Sequence, residues 1–155
     1  MNKLIWTGPF LFRELLEGCL SDEQPWPPGS RGVYVVSQKK WKGAPGTACH
    51  PLYVGGNTGA SPRFCTRIGD LIADLYGFFD STGHHSGGQS LFGWCKSNAV
   101  HPGSLFIGWA TRDPWCDRCA EVELVNQLAR SWEDRRSLLN KKRPPACRVH
   151  DSAVR

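Results

Sequence analysis

One glutamate sits where the spacing of its neighbours says an aliphatic residue belongs. Across residues 114 to 134, Leu124, Val125, Leu128, Ala129 and Trp132 recur at helical intervals, and Glu121 falls on the same stripe. Glu123 lies about 200° round that helix and groups with Gln127, Arg130 and Asp134 on the wet side. A carboxylate on an apolar stripe must be paired, protonated or bound to a cation, because burying it bare is costly. A plainer account places Glu121 in the first helical turn, where the helix dipole favours acids. Spacing leaves these two accounts level.

Other groups able to do chemistry lie upstream. Gly32-Val33-Tyr34 and Tyr53-Val54-Gly55 each sit in a β-type apolar run, and the stretch between them holds Gly43, Pro45 and Gly46. That pattern is a hairpin signal, and it puts two tyrosines close enough to share a site. Taken as an arbitrary pair, they are simply strand aromatics. Arg63 and Arg67 stand one turn apart, either as donors to a phosphate or as partners of Asp70 and Asp74 on a solvated helix face. His84 and His85 lie in the glycine-rich run Ser81–Gly88, suited to phosphate contact or proton transfer if the loop is functional. Cys116 and Cys119 have the spacing of half a zinc site or a redox pair. The other ligands for zinc would have to come from Cys95, His84, His85 or Cys49, which follow no pattern. Small residues packing a helix N-terminus is the favoured account of the two cysteines.

The elements that must position these groups follow from periodicity and breakers. Residues 10 to 20 read as a short helix, and Pro25 to Gly29 breaks regular structure before the hairpin. Ser61-Pro62 is a helix start, and Phe64, Ile68, Leu71, Ile72 and Leu75 form the stripe of a helix running to about Tyr76. Residues 81 to 103 read as loop, Leu105–Ala110 as a third strand, and 114 to 134 as a second long helix. The order β-β-α-β-α gives an α+β class: one compact domain with a three-stranded antiparallel sheet flanked by helices.

Composition narrows the setting. A chain of 155 residues is most simply one domain with its own core. The net charge of +5 is compatible with a polyanionic partner without requiring one, and basic residues gather after Arg130. No run approaches membrane-spanning length, and the N-terminus carries no clear export signal. Seven cysteines is an odd number without secretory context, so reduced thiols and a cytoplasmic location are expected.

The succession Gly-Val-Tyr34, Tyr53-Val-Gly, Arg63, Glu121-Val-Glu-Leu-Val and Asn140 resembles the GIY-YIG nuclease superfamily over roughly residues 30 to 145. The resemblance divides the chain into an N-terminal helical extension over 1–29, a nuclease domain over 30–145 and a tail over 146–155. It implies a metal-dependent DNA endonuclease that hydrolyses phosphodiester bonds. In this reading Tyr34 orients or deprotonates the attacking water and Tyr53 supports the phosphate region. Arg63 holds the scissile phosphate, with Arg67 as runner-up. Glu121 is the ligand of magnesium (Mg2+) or manganese (Mn2+), and Asn140 organises the site by hydrogen bonding. Many relatives carry a histidine four residues after the arginine; Arg67 stands there in this chain, leaving that role unfilled or altered. His84 and His85 are secondary candidates, and Arg63, Arg67, Lys141, Lys142 and Arg143 are the expected DNA contacts.

A small domain with one active site is expected to act as a monomer, to nick duplex DNA and to show weak sequence preference. A restriction-type enzyme would instead need a symmetric dimer to cut both strands. The rival from another class is a nucleic-acid-binding module that keeps this scaffold without cleaving.

Overall fold

The computed structural model describes residues 4–18, 25–56, 63–80, 83–111, 116–130, 138–141, 144 and 147. In chain order the elements are β1 (Thr7–Leu11), α1 (Phe12–Glu17), β2 (Gly32–Ser37), β3 (Pro51–Gly56), α2 (Phe64–Leu75), α3 (Ser86–Asn98), β4 (Phe106–Thr111) and α4 (Asp117–Arg130). The class is α+β. The sheet is antiparallel and four-stranded, in the order β1-β4-β2-β3, rather than three-stranded as the sequence predicts.

The hairpin forms as expected. β2 pairs with β3 on one side and β4 on the other, and every residue of β2 is buried. Alternation along the strand sends Val33 and Val35 to one face and Tyr34 and Val36 to the other. Each face carries its own core. Tyr34 and Val36 pack with Phe12, Phe64, Ile68, Leu71, Leu75 and Leu91, whereas Val33, Val35 and Val54 pack with Leu124, Val125 and Leu128 of α4. The sheet is therefore the middle layer, with α1, α2 and α3 on one side and α4 on the other.

Two elements depart from the sequence expectation. The fourth strand, β1, comes from the region expected to be only helical, and the helix there is confined to Phe12–Glu17. Gly8-Pro9 reads as a breaker, yet β1 lies at the sheet edge, where a proline leaves no internal ladder bond unmade. The second is α3, which occupies most of the stretch expected to be loop. Its first turn contains Gly87 and Gly88, poor helix formers that read as loop residues. Both are buried, and a Cβ at Gly88 would come within 2.7 Å of the Asp74 Cβ and 2.8 Å of the Leu71 carbonyl oxygen. These glycines let α3 lie directly on α2, and the tertiary contact overrides the local propensity. His85 begins the helix, its Nδ1 accepting from the Gly88 N–H at 3.2 Å. Ala99, in the left-handed region at φ 52°, ends it.

Candidate active site

The register of the hairpin builds the centre of the site. Tyr34 lies opposite Gly55, and Val36 opposite Tyr53, so the two tyrosines are diagonal neighbours on one face. Their ring centroids are 6.1 Å apart with an interplanar angle of 28°. Tyr34 is fully buried, and its hydroxyl reaches across β3 at Gly55. A Cβ on Gly55 would overlap the Tyr34 hydroxyl outright, which is a physical reason for glycine at the end of the Tyr-Val-Gly string. Gly32 is equally constrained, with the Ala110 carbonyl oxygen 2.8 Å from where its Cβ would stand.

His85 completes the cluster. Its Nε2 lies 2.8 Å from the Tyr34 hydroxyl, and its ring centroid lies 6.0 Å from that of Tyr53. Burial, reinforced by the charge of Arg67 and opposed by Asp74, lowers its pKa to about 3, so the imidazole is neutral at neutral pH. Because Nδ1 accepts the Gly88 N–H, the one ring proton resides on Nε2 and is donated to the Tyr34 oxygen. Asp74 supports this arrangement from α2, its Oδ2 accepting from the His85 backbone N–H at 2.7 Å and from the Gln89 side chain at 3.2 Å. His84, next in sequence, is exposed.

The arginines separate. Arg63 is exposed at the start of α2, while Arg67 is half-buried and its charge is felt at Tyr34, Tyr53 and His85. Arg67 therefore faces the tyrosine pair more directly than Arg63. The alternative account, in which Asp74 pairs with the arginines on a solvated face, does not hold: Asp74 is fully buried. Burial raises the Tyr34 hydroxyl well above its ordinary pKa, Tyr53 adds to the rise, and Arg67 opposes it. Burial likewise raises Tyr53, again against Arg67. Both are phenols rather than phenolates at neutral pH.

Glu121 approaches from the other layer. The stripe read from the sequence is present: Glu121 is 8% exposed on the face that buries Leu124, Val125 and Leu128, while Glu123 and Gln127 are exposed. Ala129, expected on the stripe, is exposed at its margin. The carboxylate reaches the end of β3, with Oε2 3.1 Å from where a Gly56 Cβ would stand. Its negative charge raises the pKa of both Tyr34 and Tyr53, which places it within electrostatic reach of the pair. Gly55 and Gly56 thus open the strand end to Tyr34 from one side and to Glu121 from the other.

Asn140 binds the backbone of β3 beside Tyr53. Its Oδ1 accepts from the Val54 N–H at 3.1 Å and its Nδ2 donates to the Val54 carbonyl at 2.7 Å. The Leu139 N–H donates to the Leu52 carbonyl at 2.7 Å. Together these contacts satisfy the outer edge of an edge strand. Beside them lies a cavity of about 220 Å³ lined by Tyr53, Ser86, Gly87, Ser90, Asn140 and Lys141. Lys141 is exposed at it, whereas Lys142 and Arg143 lie outside the described residues.

Sequence reasoning missed Asp74 and Gly87. The signal for Asp74 was present, since it lies three residues after Leu71 on the buried stripe of α2, the same kind of anomaly that singles out Glu121. Gly87 falls in the glycine-rich run Ser81–Gly88 that the sequence singles out, but its contact with the Tyr53 ring is made only once α3 docks. No protein-family model matches the chain, and the comparisons with curated proteins and with solved structures return no match.

Proposed function

We propose that the chain is a metal-dependent endonuclease of GIY-YIG type, hydrolysing phosphodiester bonds in DNA. The observation that carries this reading is the convergence of Tyr34, Tyr53, His85, Arg67 and Glu121 around the glycine end of β3. Tyr34 and Glu121 come from opposite faces of the sheet; Tyr34 fits over Gly55 only because that residue has no side chain, and Glu121 lies close to Gly56.

Glu121 suits a hard divalent ion, because it offers an oxygen ligand at a strand end that glycines leave open. Among the described residues, no group of three or more acid, imidazole or thiol ligands includes it. Glu121 would hold such an ion through one carboxylate, leaving the rest of its coordination to water and substrate. When bound, such an ion supplies Lewis-acid stabilisation of charge on the phosphate and the leaving oxygen.

The remaining work belongs to the chain. Tyr34 orients the attacking water, and the fraction of Tyr34 that has first released its own hydroxyl proton to solvent takes the water's proton. Burial opposes that ionisation most, and Tyr53 and the charge of Glu121 add to it. The Nε2–H of His85 stabilises the phenolate by hydrogen bonding, and the charge of Arg67 does so through space. His85 thereby fills the place left when Arg67 stands where relatives carry histidine. Arg67 and Arg63 offset phosphate charge, and Lys141 extends the positive surface along the cavity beside Tyr53. Asn140 holds the strand that carries Tyr53.

The test is incubation of the purified protein with supercoiled plasmid and labelled oligonucleotides, with magnesium, manganese or chelator, beside Glu121→Gln. Metal-dependent nicking that Glu121→Gln abolishes without weakening DNA binding is the expected result. Binding without cleavage by the wild type in either metal would sink the reading in favour of a non-catalytic nucleic-acid-binding module.

A further inference from the structure

The sulfurs of Cys116, Cys119 and Cys147 all lie within 4.8 Å of one another. Cys116 precedes α4, its carbonyl accepting the Ala120 N–H at 3.0 Å, and Cys119 lies in the first turn. Cys147 is buried against them from 31 residues beyond Cys116, with the two sulfurs 3.6 Å apart. Cys49 and Cys95, the ligands that sequence spacing left open, are instead buried one in each core.

We propose that Cys116, Cys119 and Cys147 bind one zinc ion that ties the C-terminal segment to the start of α4. Geometry favours this over packing of small residues. Two sulfurs on one tetrahedral zinc, each about 2.3 Å from the metal, stand roughly 3.8 Å apart. The 3.6 Å separation of Cys116 and Cys147 is close to that edge. A disulfide would bring two sulfurs to about 2.05 Å and leave the third thiol behind; none of the three is in a disulfide. Soft thiolate donors select zinc over magnesium, so this site is chemically distinct from Glu121. Loading converts three thiols to thiolates and releases three protons to solvent for each zinc bound.

The position of the site gives it a role. Glu121 is two residues after Cys119, so an ion there fixes the turn that aims the carboxylate.

The test measures zinc on the full-length protein, by elemental analysis and by native mass, independently of any nuclease activity. The wild type is expected to carry one zinc per chain after purification without chelator. Zinc removal should lower the melting temperature, and cobalt substitution should give a thiolate charge-transfer band. Cys147→Ser should lose stoichiometric zinc, and Glu121→Gln should retain it in full. Thiol alkylation of the wild type keeps the proposal falsifiable if the cysteine variants fail to fold: zinc should protect Cys116, Cys119 and Cys147 together. Wild-type zinc content in Cys147→Ser, equal alkylation with and without zinc, or a disulfide between Cys116 and Cys147 would each overturn it.

Discussion

The two faces of the sheet handle buried polarity in different ways. On the face covered by α2 and α3, buried polar groups bond to one another, Tyr34 to His85, His85 to Gly88 and Asp74, and Asp74 Oδ2 to Gln89, while Asp74 Oδ1 has no partner among the described residues. On the face covered by α4, Glu121 is the one buried carboxylate among the described residues, and it sits on an aliphatic stripe. The first is a hydrogen-bonded frame that fixes the orientation of a hydroxyl. The second sets a negative charge at one point. Tyr34 and Glu121 both lie against the glycine end of β3, so the proposed chemistry depends on the strand end as much as on the side chains.

The largest expected effect is on the α4 side. Glu121→Gln should abolish cleavage while DNA binding, measured by fluorescence anisotropy, survives or strengthens. Full activity in this variant would remove the contrast between the faces. Next comes the frame. Tyr34→Phe deletes one oxygen and should lower the cleavage rate by roughly a hundredfold to ten-thousandfold, the range of general acid–base catalysis. Little stability should be lost, and unchanged single-turnover rates would show that the hydroxyl does not act on water.

Gly55→Ala probes the junction. Its methyl group would overlap the Tyr34 hydroxyl, and the cost should be about 1–3 kcal/mol in urea denaturation, as for other overpacked sites. A neutral result would mean that Tyr34 does not lie over this glycine in solution.

Acid titration of His85→Gln against wild type isolates the frame. His85 has a folded pKa of about 3 against an ordinary value of 6.5. Between those values the unfolded chain binds a proton that the folded chain does not, so stability is complete above pH 6.5 and falls as pH drops towards 3. The slope from this group is at most about 1.4 kcal/mol per pH unit. His85→Gln should flatten the melting curve against pH between 6.5 and 5, and an unchanged slope would show that His85 is not the group responsible. Smallest is Glu123→Gln, exposed on the opposite side of α4 from the stripe, which should leave both cleavage and melting temperature near wild type.

What the sequence determined by itself is whatever follows from backbone period. The hairpin, the stripe of α2 and the phase of α4 with Glu121 inward and Glu123 outward are consequences of local geometry, so residue spacing suffices to find them. Docking decided the rest. Gly8-Pro9 and Gly87-Gly88 read as breaks because propensity is a statement about an isolated chain. An edge position accommodates the first pair, and contact with α2 and Tyr53 requires the second. His85 stands 51 residues from Tyr34, and Cys147 stands 31 from Cys116. No local period links residues that far apart. Only the packing of α3 on α2, and of the C-terminal segment on α4, brings those atoms within reach of one another.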